Sequence, residues 1–133
     1  MLPFAVVLRP GESPYRQVVY AATRAMLAGE LPAGSPFPSV RELSQELKIN
    51  PNTAHKVVAE LVRDGLLEVL PGIGTVVAAG RQATAAERRH LLSQSVEQLV
   101  VEAKRLGLER DEILDAVEAR WTELFGDRES RGA

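Results

Sequence analysis

A mainly α-helical chain with one small β-hairpin is the fold class the sequence predicts, and three observations carry it. Two helix signals stand close together, Pro38-Ser39-Val40-Arg41-Glu42-Leu43 and Asn50-Pro51-Asn52-Thr53, and Gly72-Ile73-Gly74-Thr75-Val76-Val77 has the glycines and β-prone residues of a hairpin. Helix, turn, helix and hairpin in that order form a winged helix-turn-helix. Two further helical stretches after residue 80 form a C-terminal helical hairpin. The expected division is 1–80 for the first part and 81–133 for the second.

Each element has a local reason. Phe4 to Leu8 is a short apolar run that ends at the turn signal Arg9-Pro10-Gly11-Glu12, after which Ser13 offers an N-cap and Pro14 suits the first helical position. Val18, Val19, Ala22, Met26 and Leu27 recur at helical spacing, and Gly29 supplies the stop. Leu31 to Pro38, with three prolines and a glycine, cannot be helical and reads as an ordered connector. Ser39 and Glu42 stand three apart, the spacing at which each side chain satisfies a backbone N–H of the other residue. Val40, Leu43 and Leu47 follow on one stripe, and Lys48-Ile49-Asn50 makes the turn. Asn50 then caps a helix over about 51–64 whose Ala54, Val57, Val58, Leu61 and Val62 fit the apolar template. Its opposite face carries Asn52, His55, Lys56, Ala59 and Arg63, donors of little bulk with one nearby acid, Glu60. Asp64-Gly65 ends it, with Leu66 placed for the contact that accompanies a glycine C-cap. A wing over 67–78 pairs Leu67 to Leu70 with Thr75 to Ala78 through Pro71-Gly72-Ile73-Gly74.

Composition bounds what this fold does. At 133 residues, 45% hydrophobic and 26% charged, the chain has the make-up of a globular protein that folds in water. There is no cysteine, which excludes disulfides and thiolate metal sites and is compatible with a reducing cytoplasm. Neither an export signal nor a membrane span is read. Net charge is −2, and residues 1–80 are neutral, with Arg9, Arg16, Arg24, Arg41, Lys48, Lys56 and Arg63 against an equal number of acids. A phosphate-binding surface then depends on how the cations are distributed, not on their sum. Gly72-x-Gly74 lies between strands and has Val77 where a third glycine would stand, so a dinucleotide site is rejected. With His55 and His90 the only histidines and far apart, no metal site is expected, and no cofactor either. No nucleophile with a base appears, so an enzyme is not expected.

Over roughly residues 13 to 78 the sequence resembles the GntR family of bacterial transcription regulators. The residues that carry the resemblance are Pro14-Tyr15-Arg16-Gln17-Val18, Gly29-Glu30-Leu31-Pro32-Ala33-Gly34, Pro38-Ser39-Val40-Arg41-Glu42-Leu43, Asn50-Pro51-Asn52-Thr53, Asp64-Gly65-Leu66 and Gly72-Ile73-Gly74-Thr75. Asn50-Pro51-Asn52-Thr53 and the short C-terminal part look like the YtrA branch. The resemblance implies a regulator, and in that branch a repressor, that binds double-stranded DNA in the cytoplasm. It makes Arg41 a DNA-contacting arginine, able to grip phosphate or a guanine edge. Asn52 and Thr53 lie on the first turn of the recognition helix, where free N–H groups face an anion. His55 and Lys56 are expected contacts to backbone or base. Asn50 is more a cap than a contact, Ser39 is spent at least in part on its capping box, and Gly74 and Thr75 form the wing tip near sugar-phosphate. The competing reading is a winged-helix module that docks a protein with the same outer face.

After the linker Ala79-Gly80-Arg81-Gln82, Thr84 caps a long helix with Leu91, Leu92, Val96, Leu99, Val100, Ala103 and Leu106 on its apolar side. A second helix carries Ile113, Leu114, Val117, Trp121, Leu124 and Phe125 before Gly126 and a polar tail. Two helices cannot bury both stripes, so the hairpin needs a partner, and a second copy is expected. The expected dimer interface is Leu92, Val96, Leu99, Val100, Ala103, Ile113, Val117, Trp121 and Leu124, and dimerisation also supplies the second half-site of a palindromic operator. The larger effector domain of the wider family is expected to be missing. A small-molecule effector stays open as a partner, with no ligand to name.

Overall fold

The computed structural model describes residues 1–80 and 83–130, with side chains up to Gly126. Arg81 and Gln82 of the expected linker, and the end of the polar tail, lie outside the described residues. The chain divides into two compact units, Met1–Arg81 and Gln82–Ala133.

The first unit holds α1 (Pro14–Leu27), α2 (Val40–Leu47), α3 (Pro51–Arg63) and the antiparallel strands β1 (Leu67–Leu70) and β2 (Gly74–Val77). All three helices start where the caps predict. The Ser13 hydroxyl accepts from the backbone N–H of Arg16, the Ser39 and Glu42 box is complete in both directions, and Asn50 Oδ1 accepts from Asn52 N at 2.7 Å. Lys48 ends α2 in the left-handed region at φ 54, and Ser44 steadies the following turn by donating its hydroxyl to the Ile49 carbonyl at 2.8 Å. Gly65, at φ 79, takes the conformation that lets the Leu66 N–H reach back to the Leu61 carbonyl at 2.9 Å.

The core gathers Val18, Ala22 and Ala25 of α1, Leu43 of α2, Ala54, Val57 and Leu61 of α3, and Leu67 and Val77 of the wing. Alanines among the buried residues of α1 and α3 let the helix backbones approach closely, and Phe4, Leu31 and Phe37 complete the core. Two packing details depart from the sequence reading. Val62 lies on the rim, 37% exposed, because the buried stripe of α3 follows Ala54, Val57 and Leu61 and the helix turns Val62 away from it. The second wing strand runs one residue earlier than expected, Gly74–Val77, and Ala78 continues the same register by donating its N–H to the Leu66 carbonyl at 2.9 Å.

The proline-rich connector is more than a spacer. Phe37 N donates to the Thr75 carbonyl at 2.9 Å, Val77 N to Ser35 at 2.9 Å and Gly34 N to Val77 at 2.8 Å, so the connector runs along β2 as a third extended segment. This pairing fixes the wing to the start of α2. Phe37 then stacks on Phe4, with ring centroids 5.7 Å apart, which seats the N-terminal arm.

The second unit is not one continuous α-helix followed by another. Thr84 and Glu87 form a second capping box at the start of α4 (Ala85–His90), a π-helical turn spans Leu91–Ser95, and α5 (Val96–Arg105) follows. Gly107 at φ 79 ends α5, and the Leu108 N–H returns to the Ala103 carbonyl at 2.9 Å. The last helix, α6 (Arg110–Ser130), is interrupted at Gly126, where φ is 80.

Candidate nucleic-acid interface

The expected contact residues fall on α2, α3 and the wing of the first unit. Arg41 is the second residue of α2 and exposed; because Glu42 is committed to the capping box, it does not pair with Arg41. Among the described residues, Arg41, His55 and Lys56 have neither an ion pair nor a side-chain hydrogen bond. All three are exposed, as are Asn50, Asn52 and Ala59, and Thr53 is half-buried.

Some of the expected donors are already in use. Pro51 has no N–H, and the N–H of Asn52 is held by Asn50, so the first turn of α3 leaves the backbone donor of Thr53 for an anion where two free groups were expected. The Ser39 hydroxyl accepts from Glu42 N at 3.0 Å and keeps only its own proton to give. Gly74 opens β2 at φ 121, and the Thr75 carbonyl is taken by Phe37. Arg63 is removed from the outer face as a free cation, because it pairs with Glu60.

That last pair belongs to a network the sequence reading missed. Tyr15 on α1 donates its hydroxyl to Glu60 Oε1 at 2.6 Å, across 45 positions of chain, and Arg63 donates to the same oxygen. The Tyr15 hydrogen bond, then that from Arg63, holds the Glu60 carboxyl below its ordinary pKa; the carboxylate in turn raises that of the Tyr15 hydroxyl. The network ties the C-terminal half of α3 to α1 and fixes the direction in which its outer face points.

The sign of the pH dependence follows. A carboxylate whose pKa is lowered on folding stabilises the fold above the ordinary carboxylate range and ceases to do so as pH falls through the lowered value. Tyr15→Phe is therefore expected to lower the melting temperature of the first unit at pH 7 by a few degrees and to lose that effect as pH falls from the ordinary carboxylate range through the lowered value. Thermal unfolding of both proteins over that range measures it, and a gap independent of pH would contradict the role given to Glu60.

In the second unit, Leu92, Val96, Leu99, Val100, Val117 and Trp121 are exposed, Ile113 and Leu124 half-buried, and Ala103 buried within the unit. Leu99, Ile113, Val117, Trp121, Leu124 and Phe125 line one apolar groove. Trp121 meets Phe125 edge to face at 5.4 Å yet remains 44% exposed. Contiguous exposed apolar faces are a common feature of contact surfaces.

Comparisons with known proteins agree with the architecture. The family model described as bacterial regulatory proteins, gntR family, matches residues 14–77. The chain is 28% identical over 117 residues to the HTH-type transcriptional repressor YtrA of Bacillus subtilis (strain 168), covering 87% of this chain and 90% of that protein. It is 31% identical over 103 residues to the HTH-type transcriptional regulator YhcF of the same organism, covering 77% and 85%. A crystal structure of a transcriptional antiterminator from Listeria monocytogenes EGD-e shares the fold with a TM-score of 0.80, at 22% identity over 92% of each chain. With the caps, the wing and the exposed face of α3 all in place, the chain belongs to the gntR family of bacterial regulatory proteins.

Proposed function

We propose that this chain is a sequence-specific repressor that binds, as a homodimer, to a palindromic operator in the cytoplasm. α3 lies in the major groove, Arg41 and Lys56 engage phosphate or base edges, and the wing follows the backbone. The observation that carries the reading is the uncovered outer side of α3, where Asn52, His55, Lys56 and Ala59 are exposed, with an unpaired Arg41 on the adjoining helix. Residues 1–80 form the DNA-binding part and residues 81–133 the dimerisation part, through the apolar face of α4 to α6. The repressor named YtrA supports the direction of regulation. No helix of the described residues is long and apolar enough to cross a membrane.

Charge sets the expected salt dependence. If Arg41 and Lys56 each neutralise one phosphate in both protomers, about four counterions are released, and log K falls against log salt with a slope of about −4. A docking module that used the same face for a protein would show no preference among duplexes. Affinity for operator and random DNA, measured between 50 and 200 mM salt, separates the two. A steep salt dependence with a strong operator preference supports the regulator, and equal affinity for both duplexes at physiological salt contradicts it.

A further inference from the structure

We infer that the groove between the N-terminal arm and α1 binds a short extended peptide with free termini, about two or three residues long. Residues 4–8 have the alternation of a strand: Phe4 is buried, Val6 and Leu8 are half-buried, and Ala5 and Val7 are exposed. Both ends of this stretch are held. Phe4 is seated by its stack on Phe37, and Arg9 is clamped to α1, its N–H donating to Gln17 Oε1 at 2.7 Å and its carbonyl accepting from Gln17 Nε2 at 3.2 Å. Between these anchors, no backbone N–H or carbonyl of residues 5–8 has a hydrogen-bond partner among the described residues. The arm is a fixed strand without a neighbour.

An extended segment with free backbone groups is a template on which a peptide adds as a further strand. Here the template borders a groove of about 420 Å³, within the range of small-ligand sites. Ala5, Val6 and Val7 supply one wall, and the small Ala21 and Ala25 of α1 leave room for an apolar side chain to approach the helix. Tyr20, 63% exposed, offers it a ring. Charge selects the ends of the ligand. Arg24 and Glu30 line the same groove, both exposed, and neither has an ion pair or a side-chain hydrogen bond among the described residues. Arg9 is spent on Glu12. An unpaired cation and an unpaired anion in one groove suit a zwitterion whose carboxylate meets Arg24 and whose ammonium meets Glu30. The amides between those ends match the free groups of the arm, whereas a simple anion would leave Glu30 repelling it. Regulation follows from the anchor at Phe4. Phe37 pairs with β2 and leads into α2, so a peptide that fixes the arm also biases the elements that face DNA, a step that rests on the DNA-binding reading above.

Leucyl-leucine is titrated calorimetrically into the full chain, beside its N-acetylated, C-amidated form, which has neither charge. The free peptide binds once per chain and raises the melting temperature, and the blocked form binds at least about tenfold more weakly. Arg24→Ala and Glu30→Gln each lower the affinity for the free peptide about tenfold. Both side chains are exposed and unpaired, so these variants keep the melting temperature of the parent. A free peptide that fails to bind at millimolar concentration, or that binds the two variants as tightly as the parent, overturns the inference. So does an affinity that falls as protein concentration rises, which would place the arm of a second copy in the groove. Saturating peptide is expected to change operator affinity about threefold or more. An unchanged operator affinity removes the regulatory role and leaves the peptide site, and a chain that selects no operator leaves it too, because the titration contains no DNA.

Discussion

Arg41→Ala is expected to weaken operator binding about ten- to hundredfold, the cost of losing a bidentate guanidinium contact in each half-site, while leaving the fold unchanged. The second half of that expectation is as informative as the first. Arg41 is exposed, lies outside the capping box and has no intramolecular partner among the described residues. Its removal therefore takes nothing from α2, and helicity and melting temperature should match the parent. Arg41→Lys keeps the charge but not the planar fork, so it should recover the salt slope and only part of the affinity. Operator titrations of the three proteins at two salt concentrations measure this, and an alanine variant that binds as tightly as the parent would show that Arg41 merely faces solvent.

Removing residues 84–133 is expected to leave a monomer whose operator affinity is lower by about a hundredfold or more. Two half-sites joined in one dimer bind with a high effective concentration for the second, and a lone wing and helix lose that gain. The first unit keeps its own core of Val18, Leu43, Val57, Leu61 and Leu67, none of which belongs to the deleted part, so its folding is not expected to be at stake. A subtler variant tests the same face in the full chain. Leu99→Glu puts a carboxylate in the apolar groove beside Trp121 and Leu124, where a second copy would have to bury it. Sedimentation of both variants reads the association directly. A truncated chain that still sediments as a tight dimer would move the interface into the first unit.

What could be read from the sequence was what short range decides. Ser13 with Pro14, Ser39 with Glu42 and Asn50 with Pro51 mark helix starts because a cap and its N–H partner are three residues apart or fewer, and the chain honours all three. The same holds for Gly65, whose positive φ ends α3 where Asp64-Gly65 predicts. The misses involve partners far apart or a change of helical phase. Tyr15 and Glu60 meet only once α1 and α3 pack, so nothing near either residue announces the bond, whereas Glu60 and Arg63 stand three apart on α3, a spacing at which a pair is legible in the sequence. The pairing of Phe37 with Thr75 is hidden in the same way behind prolines that read as a plain connector.

The π-turn at Leu91–Ser95 has no signal in the apolar pattern, because Leu91, Leu92, Val96 and Leu99 also fit the stripe of a straight α-helix. Periodicity placed α3 correctly but overstated its buried face by one residue, Val62, because a template of five positions is broader than the crossing with α1 and α2 needs. In the candidate site, residue types were legible and their availability only in part. Asn52 gives its N–H to the Asn50 cap, whereas the freedom of Arg41 from Glu42 follows from the capping box that the sequence announces.

Selection of bound sites from a pool of random duplexes by the intact chain tests the outer side of α3 as a reader of sequence more directly than any variant. The expected product is an inverted repeat whose half-sites have centres about 10 base pairs, or a multiple of that, apart. A pool that stays random after repeated rounds, or that converges on a lone half-site with no symmetry, would contradict recognition by a twofold pair of α3 helices.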